Sequence, residues 1–286
     1  MLVRAMCESH PLLTVPPETD FPLVLAPVER TPAFDPRRFV DALHADAGFG
    51  RWRLPRAAVE LSFTARPPAN HADAVRRVYT LWAEHQGKRR YVDRNPDNVL
   101  RLGALTALFP ESRVVHVVRD GRDVAASWLE LGWADSMEQA ALHWRHRVRQ
   151  GRQALRLVGE RRYHELRYED LVRDPEATLR RLCTVIEVPF DPAMLDHRRA
   201  ASVAVRREAR PHQHRAVTQP LQPKLRDWRR DIPGAAVARF ELAAGDLLTE
   251  LDYDLADAKP GVATRLSVNR RRLSWTVKRS QRRLTP

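Results

Sequence analysis

Arg119 and Ser127 bracket a short segment, RDGRDVAAS, whose residue types suit the binding of a phosphate group. The segment follows the apolar run Val114 to Val118 and contains the turn from Asp120 to Asp123. A guanidinium, a hydroxyl and the backbone N–H groups of such a turn can converge on one anion through charge-assisted hydrogen bonds at the start of a helix. The alternative is that Arg119 only pairs with an aspartate of the same turn. Its position directly after an apolar run favours the phosphate interpretation.

The elements that must position these residues are indicated by the apolar runs. Val114 to Val118 is short and uninterrupted, which is typical of a strand covered on both faces. A second unit repeats the order, with a strand from Tyr163 to Arg167, the letters YEDL, and a helix opened by Asp174. Strands that alternate with helices predict an α/β fold, in which a parallel sheet is flanked by helices. Ligands of such folds lie beyond the carboxyl ends of the strands, which is where Arg119 falls.

Three further helices are indicated by apolar positions at steps of three and four residues. The longest starts at Met137, where Ser136 and Gln139 fit a capping box. A second begins after Pro233, and a third ends near Gly87.

The composition excludes several classes of protein. Of the 286 residues, 43% are hydrophobic, which is enough for a sizeable core, and no apolar run approaches the length of a membrane span. The two cysteines, Cys7 and Cys183, are too few for a disulfide framework or a four-cysteine zinc site. No signal peptide is visible, so the sequence predicts a cytoplasmic protein, and its richness in arginine favours a bacterial source.

The charge is distributed unevenly along the chain. There are 49 Lys and Arg against 36 Asp and Glu, a formal net charge of +13. No acidic residue follows Asp257 whereas nine basic residues do, so we divide the chain into a body, residues 1–257, and a basic tail, residues 258–286. The favoured interpretation of the tail is a solvated and largely disordered segment. The other is a surface helix with a stripe of Leu266, Leu273, Val277 and Leu284, which would allow weak contact with an anionic membrane.

The strings FPESRVVHVVRDGRDVAASW and YHELRYEDLVRDPEATLRRLC, followed by FDPAML, resemble the sulfotransferases that use 3′-phosphoadenosine-5′-phosphosulfate (PAPS). The resemblance implies the three-layer α/β fold of that family, which is like that of P-loop proteins. It also implies transfer of a sulfuryl group to a hydroxyl or amine acceptor. It assigns the 3′-phosphate of PAPS to Arg119 and Ser127. Tyr168, in the YED element, would approach the nucleotide, although a core tyrosine with a satisfied hydroxyl fits nearly as well.

The N-terminal string LVRAMCESHPLLTVPPETDF is similar to the bacterial and tyrosylprotein branches of that family. In those branches a Glu before a Thr, shortly after His-Pro, is the catalytic base, and Glu18 occupies this place. Such a base is needed because a neutral hydroxyl is a poor nucleophile until a carboxylate takes its proton. Without the resemblance, Glu18 would be interpreted as a loop carboxylate with no role. Asp20 is the next candidate for the base.

Two further segments depart from the family pattern or match it loosely. The string YVDRNPDN has Arg94 where the family commonly has a lysine that polarises the departing or bridging oxygen. Arginine keeps the charge but cannot act as a proton donor in the same way. The string HRAVTQPLQPKLRDWRRDIP resembles the loop that closes over the nucleotide, with Lys224 and Arg226 as candidates for phosphate contact. An ordinary surface loop fits that string equally well.

The family's first strand and its phosphate loop, of the type P-R-S-G-T-T, have no counterpart in this sequence. The helix that follows that loop in the family corresponds to Leu2 to Ser9, so the chain starts where the loop should end. We therefore expect Met1 to be an internal methionine of a longer protein, and the chain as given to be deficient in catalysis and in cofactor binding.

Two other functions are consistent with parts of the sequence. A phosphate-loop kinase would share the sheet plan, but its Mg²⁺-binding Ser or Thr and acidic partner cannot be placed. A non-catalytic nucleotide or polyanion binder, such as a nucleic-acid-binding protein, would fit the basic composition. However, the basic excess lies in the tail and no motif with interleaved aromatic residues is present, so no specific nucleic acid is predicted.

No metal site is predicted, because the histidine pairs lack suitable partners. His212 with His214 and His143 with His146 have no nearby cysteine or convincing carboxylate. His116, inside the apolar strand, is expected to be a core residue with a satisfied ring. The acceptor-facing segment is expected within Phe21 to Asn70, which has no recognisable code, so the acceptor and the oligomeric state stay unassigned.

Overall fold

Short strands and longer helices alternate along the chain. The computed structural model describes residues 1–26, 34–198, 200–202, 227–256 and 260–284. Among these residues the helices include α1 (Leu2–Ser9), α2 (Phe21–Val24), α3 (Pro36–Ala45), α4 (Ala47–Gly50), α5 (Arg56–Ala65), α6 (His71–His85), α7 (Leu102–Leu108), α8 (Gly121–Glu130), α9 (Met137–Val158), α10 (Tyr168–Arg173), α11 (Pro175–Val185), α12 (Trp228–Asp231), α13 (Gly234–Glu250) and α14 (Val262–Leu284). The strands are β1 (Leu13–Thr14), β2 (Arg90–Tyr91), β3 (Val114–Val118) and β4 (Tyr163–Arg167). Short 3₁₀ turns cover Pro96–Leu100, Glu160–Arg162 and Pro192–Leu195.

The chain divides into two units whose segments interleave along the sequence. The first unit contains Met1–Val114, Leu157–His164 and Asp174–Leu221. The second contains Val115–Arg156, Glu165–Arg173 and Gln222–Pro286.

The strands pair two by two among the described residues, β1 with β2 and β3 with β4. The first pair is parallel, with Leu13 opposite Arg90 and Thr14 opposite Tyr91. β3 and β4 cover the residues that the sequence predicted as strands. The α/β class predicted from the sequence is therefore confirmed.

In the first unit, α6 contributes the largest share of helical core residues. Asn70 caps this helix by accepting a hydrogen bond from the N–H of Asp73 at 2.9 Å. Val75, Val78 and Trp82 lie on its buried face, as the helical period predicts. These side chains join an aromatic-rich core made of Phe21, Phe39, Val40, Leu43, Phe49, Trp52, Leu54, Val59, Phe63, Ala74 and Tyr79.

The core of the second unit is formed by α8, α9 and α13. The helix α9 begins at Met137 as predicted, with the Oγ of Ser136 accepting from the N–H of Gln139 at 3.3 Å. Gly121, at the start of α8, packs so closely that an added Cβ would lie 2.5 Å from both Phe240 and Trp144. The absence of a side chain at this position therefore lets α8 approach the two aromatic rings.

Residues 262–284 of the basic tail form a helix, so the expectation of a largely disordered tail is wrong. α14 spans Val262–Leu284, and Val268 is fully buried in the core of the second unit. Trp275 packs against the same core, and Arg272 donates a hydrogen bond to the carbonyl of Leu242 at 3.3 Å. These tertiary contacts stabilise a helix whose composition alone would leave it solvated. No helix in the described part of the chain is both long enough and apolar enough to cross a bilayer.

Candidate functional site

Arg119 lies between the end of β3 and the start of α8, in the second unit. Its Nη2 is 3.4 Å from Asp123 Oδ2, and its guanidinium lies over the ring of Tyr168 at 4.6 Å from the centroid. Its Nε is buried and has no hydrogen-bond partner in the described part of the structure. A buried cationic donor without a partner is costly unless an anion completes it. Arg119 therefore has the chemistry of an anion-binding side chain.

Ser127 lies on the same side of α8 as Asp123, whose carboxylate contacts Arg119. It follows Asp123 by four residues, one helical turn, and is half-buried. The backbone amides of the turn are only partly available. The N–H of Asp120 donates to Glu169 Oε1 at 2.8 Å, and the N–H of Arg122 donates to Asp120 Oδ1 at 2.9 Å.

The turn after β3 is held in place by Arg122, which is 1% exposed. Its Nη2 is 2.7 Å from Asp120 Oδ2, and its Nη1 is 2.7 Å from Glu241 Oε1. Its guanidinium lies 3.6 Å from the ring centroid of Trp228. Arg122 is thus a buried cation between two carboxylates, and the sequence analysis missed it. Its signal was the second arginine of RDGRD.

Glu169 connects the YED element to this turn. Its Oε1 accepts from the N–H of Asp120 and its Oε2 accepts from the hydroxyl of Tyr253 at 3.0 Å. Burial raises the pKa of Tyr253, and the neighbouring Glu169 raises it further, so the phenol keeps its proton and donates. Tyr168 was the residue of the YED element with a predicted role, whereas Glu169 is the residue that contacts the turn.

Asp123 is the carboxyl group closest to the predicted anion site. Burial raises its pKa to about 6, with Asp120 and Glu169 adding to the shift and Arg119 opposing it. Its Oδ1 accepts from the N–H of Trp228 at 3.0 Å.

Replacing Asp123 with asparagine should stabilise the protein at pH 8 by on the order of 1–3 kcal/mol. The pKa of this carboxyl rises on folding from 3.8 to about 6, so the stability it contributes is complete below pH 4 and is lost as the pH rises through about 6. Asparagine does not ionise and keeps an oxygen for Trp228. The melting temperatures of both proteins from pH 4 to pH 8 measure this, and the gap should open between pH 4 and pH 6. A gap that is constant with pH would rule out ionisation as the cause.

In the first unit, the loop that carries Glu18 is anchored through its backbone carbonyls. Arg4, which is 4% exposed, donates to two carbonyls of the loop at 3.3 and 3.5 Å. Trp52 Nε1 donates to the carbonyl of Pro17 at 3.0 Å, and Arg51 donates to the carbonyl of Glu18 itself. The backbone of Glu18 is therefore fixed, although its side chain lies in a loop.

Glu18 forms an ion pair with Arg94, so the structure brings together two residues that the sequence analysis named separately. The side chains of Glu18 and Arg94 are 29% and 26% exposed, so both residues of the pair are partly buried. Burial lowers the pKa of Arg94 to about 10, with Arg4 adding to the shift, and Arg94 is still charged at neutral pH. The pair combines a proton acceptor with a cation that can stabilise developing negative charge.

Asp20, the other candidate for the base, is bound to its neighbours. It forms an ion pair with Arg101, and its Oδ1 accepts from Asn95 Nδ2 at 3.0 Å. Asn95 also donates to the carbonyl of Thr19 at 3.3 Å. These contacts give Asp20 a structural role in linking its loop to Asn95 and Arg101.

The remaining predicted positions are placed as follows. Lys224 and Arg226 lie outside the described residues. His116 is 9% exposed, and its Nδ1 lies 3.4 Å from Glu165 Oε2. Burial would raise the pKa of Glu165, but its contacts with His116 and Arg152 outweigh this and hold the pKa well below its usual range. Within the described residues, no group of three or more His, Cys, Asp or Glu side chains is arranged to hold a metal ion.

Residues 1–192 match the model of the sulfotransferase family. An ω-hydroxy-β-dihydromenaquinone-9 sulfotransferase of Mycobacterium tuberculosis is 31% identical over 160 residues, which are 45% of this chain and 40% of that protein. Protein-tyrosine sulfotransferase A of Caenorhabditis elegans is 25% identical over 172 residues, which are 58% of this chain and 45% of that protein. The matched region spans less than half of the length of either relative.

Two solved structures share the fold. The sulfotransferase domain from the Synechococcus PCC 7002 olefin synthase has a TM-score of 0.63 and 25% identity, and the match covers 89% of this chain and 90% of that chain. A sulfotransferase domain from the curacin biosynthetic pathway has a TM-score of 0.56 and 18% identity, covering 89% and 94% of the two chains, and supports the fold alone.

Proposed function

The chain belongs to the sulfotransferase family, and we propose that it moves a sulfuryl group from PAPS to the oxygen of a hydroxyl acceptor. Both hydroxyl and amine acceptors are consistent with the sequence. The names of both curated relatives specify an oxygen acceptor, an ω-hydroxyl in one and tyrosine in the other. We therefore prefer a hydroxyl, without assigning the molecule that carries it.

The observation that carries this proposal is the buried Nε of Arg119, which has no hydrogen-bond partner among the described residues. The guanidinium of Arg119 and the hydroxyl of Ser127 are hydrogen-bond donors of the kind that a phosphate requires. The ring of Tyr168 lies against the same guanidinium. The residues therefore fit a phosphorylated nucleotide. In this proposal Arg119 and Ser127 bind its 3′-phosphate, and Tyr168 contacts the nucleotide.

Glu18 acts in this proposal as the general base. Its carboxylate takes the proton of the acceptor hydroxyl, which makes the oxygen a better nucleophile as it bonds to sulfur. The bound donor supplies an activated sulfuryl group, whose bond to the phosphate oxygen breaks in the same step. Arg94 holds the Glu18 carboxylate by an ion pair and offers a fixed positive charge to the oxygens that gain negative charge.

Replacing Arg119 with alanine should weaken the binding of 3′-phosphoadenosine 5′-phosphate by about 10- to 100-fold, the effect of losing hydrogen bonds to a charged partner. Isothermal titration of the protein expressed from its complete reading frame measures this. Arg156, an exposed arginine of α9, provides the matched control Arg156→Ala, which should leave the affinity unchanged. A Kd for Arg119→Ala within twofold of the wild-type value would show that the phosphate binds elsewhere.

A further inference from the structure

The outward face of α14 carries large apolar side chains. Val262, Leu266 and Leu273 are 74%, 65% and 70% exposed. At about 100° per residue they fall within an arc of about 40° on the helix surface. Val268, which is fully buried, lies on the other side of the helix. We call these three exposed residues the apolar stripe; the side chains of Val277 and Leu284, which the sequence analysis placed with them, lie outside the described residues.

The apolar stripe is flanked by positive charge. Arg265 and Arg270 are exposed and lie on either side of the stripe by helical position. The chain from residue 258 to residue 286 contains nine Lys and Arg and no acidic residue. A surface with this charge repels other cations and attracts extended anionic surfaces.

The helix is fixed with the apolar stripe facing outward. Arg271 donates to Ser136 Oγ at 2.8 Å, and the ring of Trp275 packs edge-on against His143 at 4.3 Å between centroids. Together with the burial of Val268, these contacts dock one face of α14 on the rest of the second unit. The opposite face, which carries the apolar stripe, can therefore contact a partner without rotation or unfolding of α14.

We propose that α14 docks the protein on an anionic lipid bilayer, with the apolar stripe among the acyl chains and the flanking arginines at the headgroups. An outward apolar face with a basic rim is the arrangement of helices that lie in the membrane interface. Nucleic acid fits this surface less well. Its phosphodiesters would attract the arginines, but they offer no apolar environment for the three exposed apolar side chains. The docking is independent of sulfuryl transfer, and its test uses no activity measurement.

Co-sedimentation with vesicles tests the proposal. The protein should bind vesicles of phosphatidylcholine with a quarter phosphatidylglycerol, should bind vesicles of phosphatidylcholine alone much more weakly, and should be released by added salt. The double variant Leu266→Glu/Leu273→Glu should lose at least about 10-fold in affinity, because two apolar side chains no longer enter the bilayer. Leu61, which is 72% exposed in the first unit, gives the matched control Leu61→Glu, which should bind as the wild type does.

The charge contribution is measured separately. Arg265→Gln/Arg270→Gln should weaken binding to the anionic vesicles by about 30-fold, if each arginine contributes as basic residues near such membranes do. All variants should keep the wild-type melting temperature because the replaced side chains are exposed. Equal binding to neutral and anionic vesicles would overturn the proposal, as would binding that the stripe variant does not weaken. Tight binding to a single-stranded oligonucleotide without vesicle binding would also overturn it, and would identify a polyanion surface.

Discussion

Glu18→Gln should lower the rate of sulfuryl transfer by roughly 10²- to 10⁴-fold while leaving nucleotide affinity nearly unchanged, as expected for the loss of a general base. Glutamine keeps the shape of the side chain but cannot take the proton of the acceptor. The backbone of Glu18 is held by Arg51 and by neighbouring anchors of the loop, so the variant should keep its place in the fold. Steady-state kinetics in the protein expressed from its complete reading frame, together with titration of the nucleotide product, separate the two effects.

Two controls make this result specific to position 18. Glu84 is an exposed glutamate of α6 in the same unit, and Glu84→Gln should leave the rate unchanged. The melting temperature of Glu18→Gln shows whether losing the ion pair with Arg94 affects the fold as well. Turnover within a few-fold of the wild-type rate would remove Glu18 from the role of base, and Asp20→Asn would then be the next variant to measure.

Arg122→Met should destabilise the protein by about 3–5 kcal/mol, because a buried cation is removed and its partners are left unpaired. Asp120 and Glu241 both lie 2.7 Å from the guanidinium, and Arg122 is 1% exposed. Methionine can fill part of the space against Trp228 but offers no charge or donor. Chemical or thermal unfolding measures the change in the free energy of unfolding.

The partners of Arg122 provide the control for this second result. Arg122→Met/Glu241→Gln should recover part of the lost stability, because one of the two unpaired carboxylates is neutralised. Arg149→Met, which removes an exposed arginine 3.2 Å from Asp246, should change stability by less than about 1 kcal/mol. If the double variant is no more stable than Arg122→Met, Arg122 acts through packing and not through charge.

Local signals in the sequence predicted the elements around the predicted anion site. β3 coincides with its predicted strand because a short apolar run is a local signal, and β4 was predicted because the order of strand, YED element and helix repeats that of the first unit. The start of α9 at Met137 coincides with its capping box, which is also a local signal. A helix was the less favoured of the two interpretations of the tail, because Val268 and Trp275 stabilise α14 through contacts with the rest of the second unit, and a strongly basic sequence gives no local sign of them.

Contacts between distant parts of the sequence account for what was missed at the candidate site. Arg122 and Glu241 are 119 residues apart, and Glu169 and Tyr253 are 84 residues apart, so neither pair is visible as a motif. Glu18 and Arg94 were each named from the resemblance, but their ion pair depends on the fold that brings the two loops together. The sequence named the candidate side chains for the proposed chemistry, and the structure adds residues that contact them.

The most direct measurement of the proposed activity is mass spectrometry of hydroxyl compounds incubated with PAPS and the protein expressed from its complete reading frame. A cell extract supplies the candidate acceptors, and Glu18→Gln and Glu84→Gln are measured in parallel. The proposal predicts a compound that gains one sulfuryl group with the wild type and with Glu84→Gln, at a rate at least about 100-fold lower with Glu18→Gln. If the wild type gives no sulfated product, or Glu18→Gln gives as much product as the wild type, the proposed transfer with Glu18 as its base is contradicted.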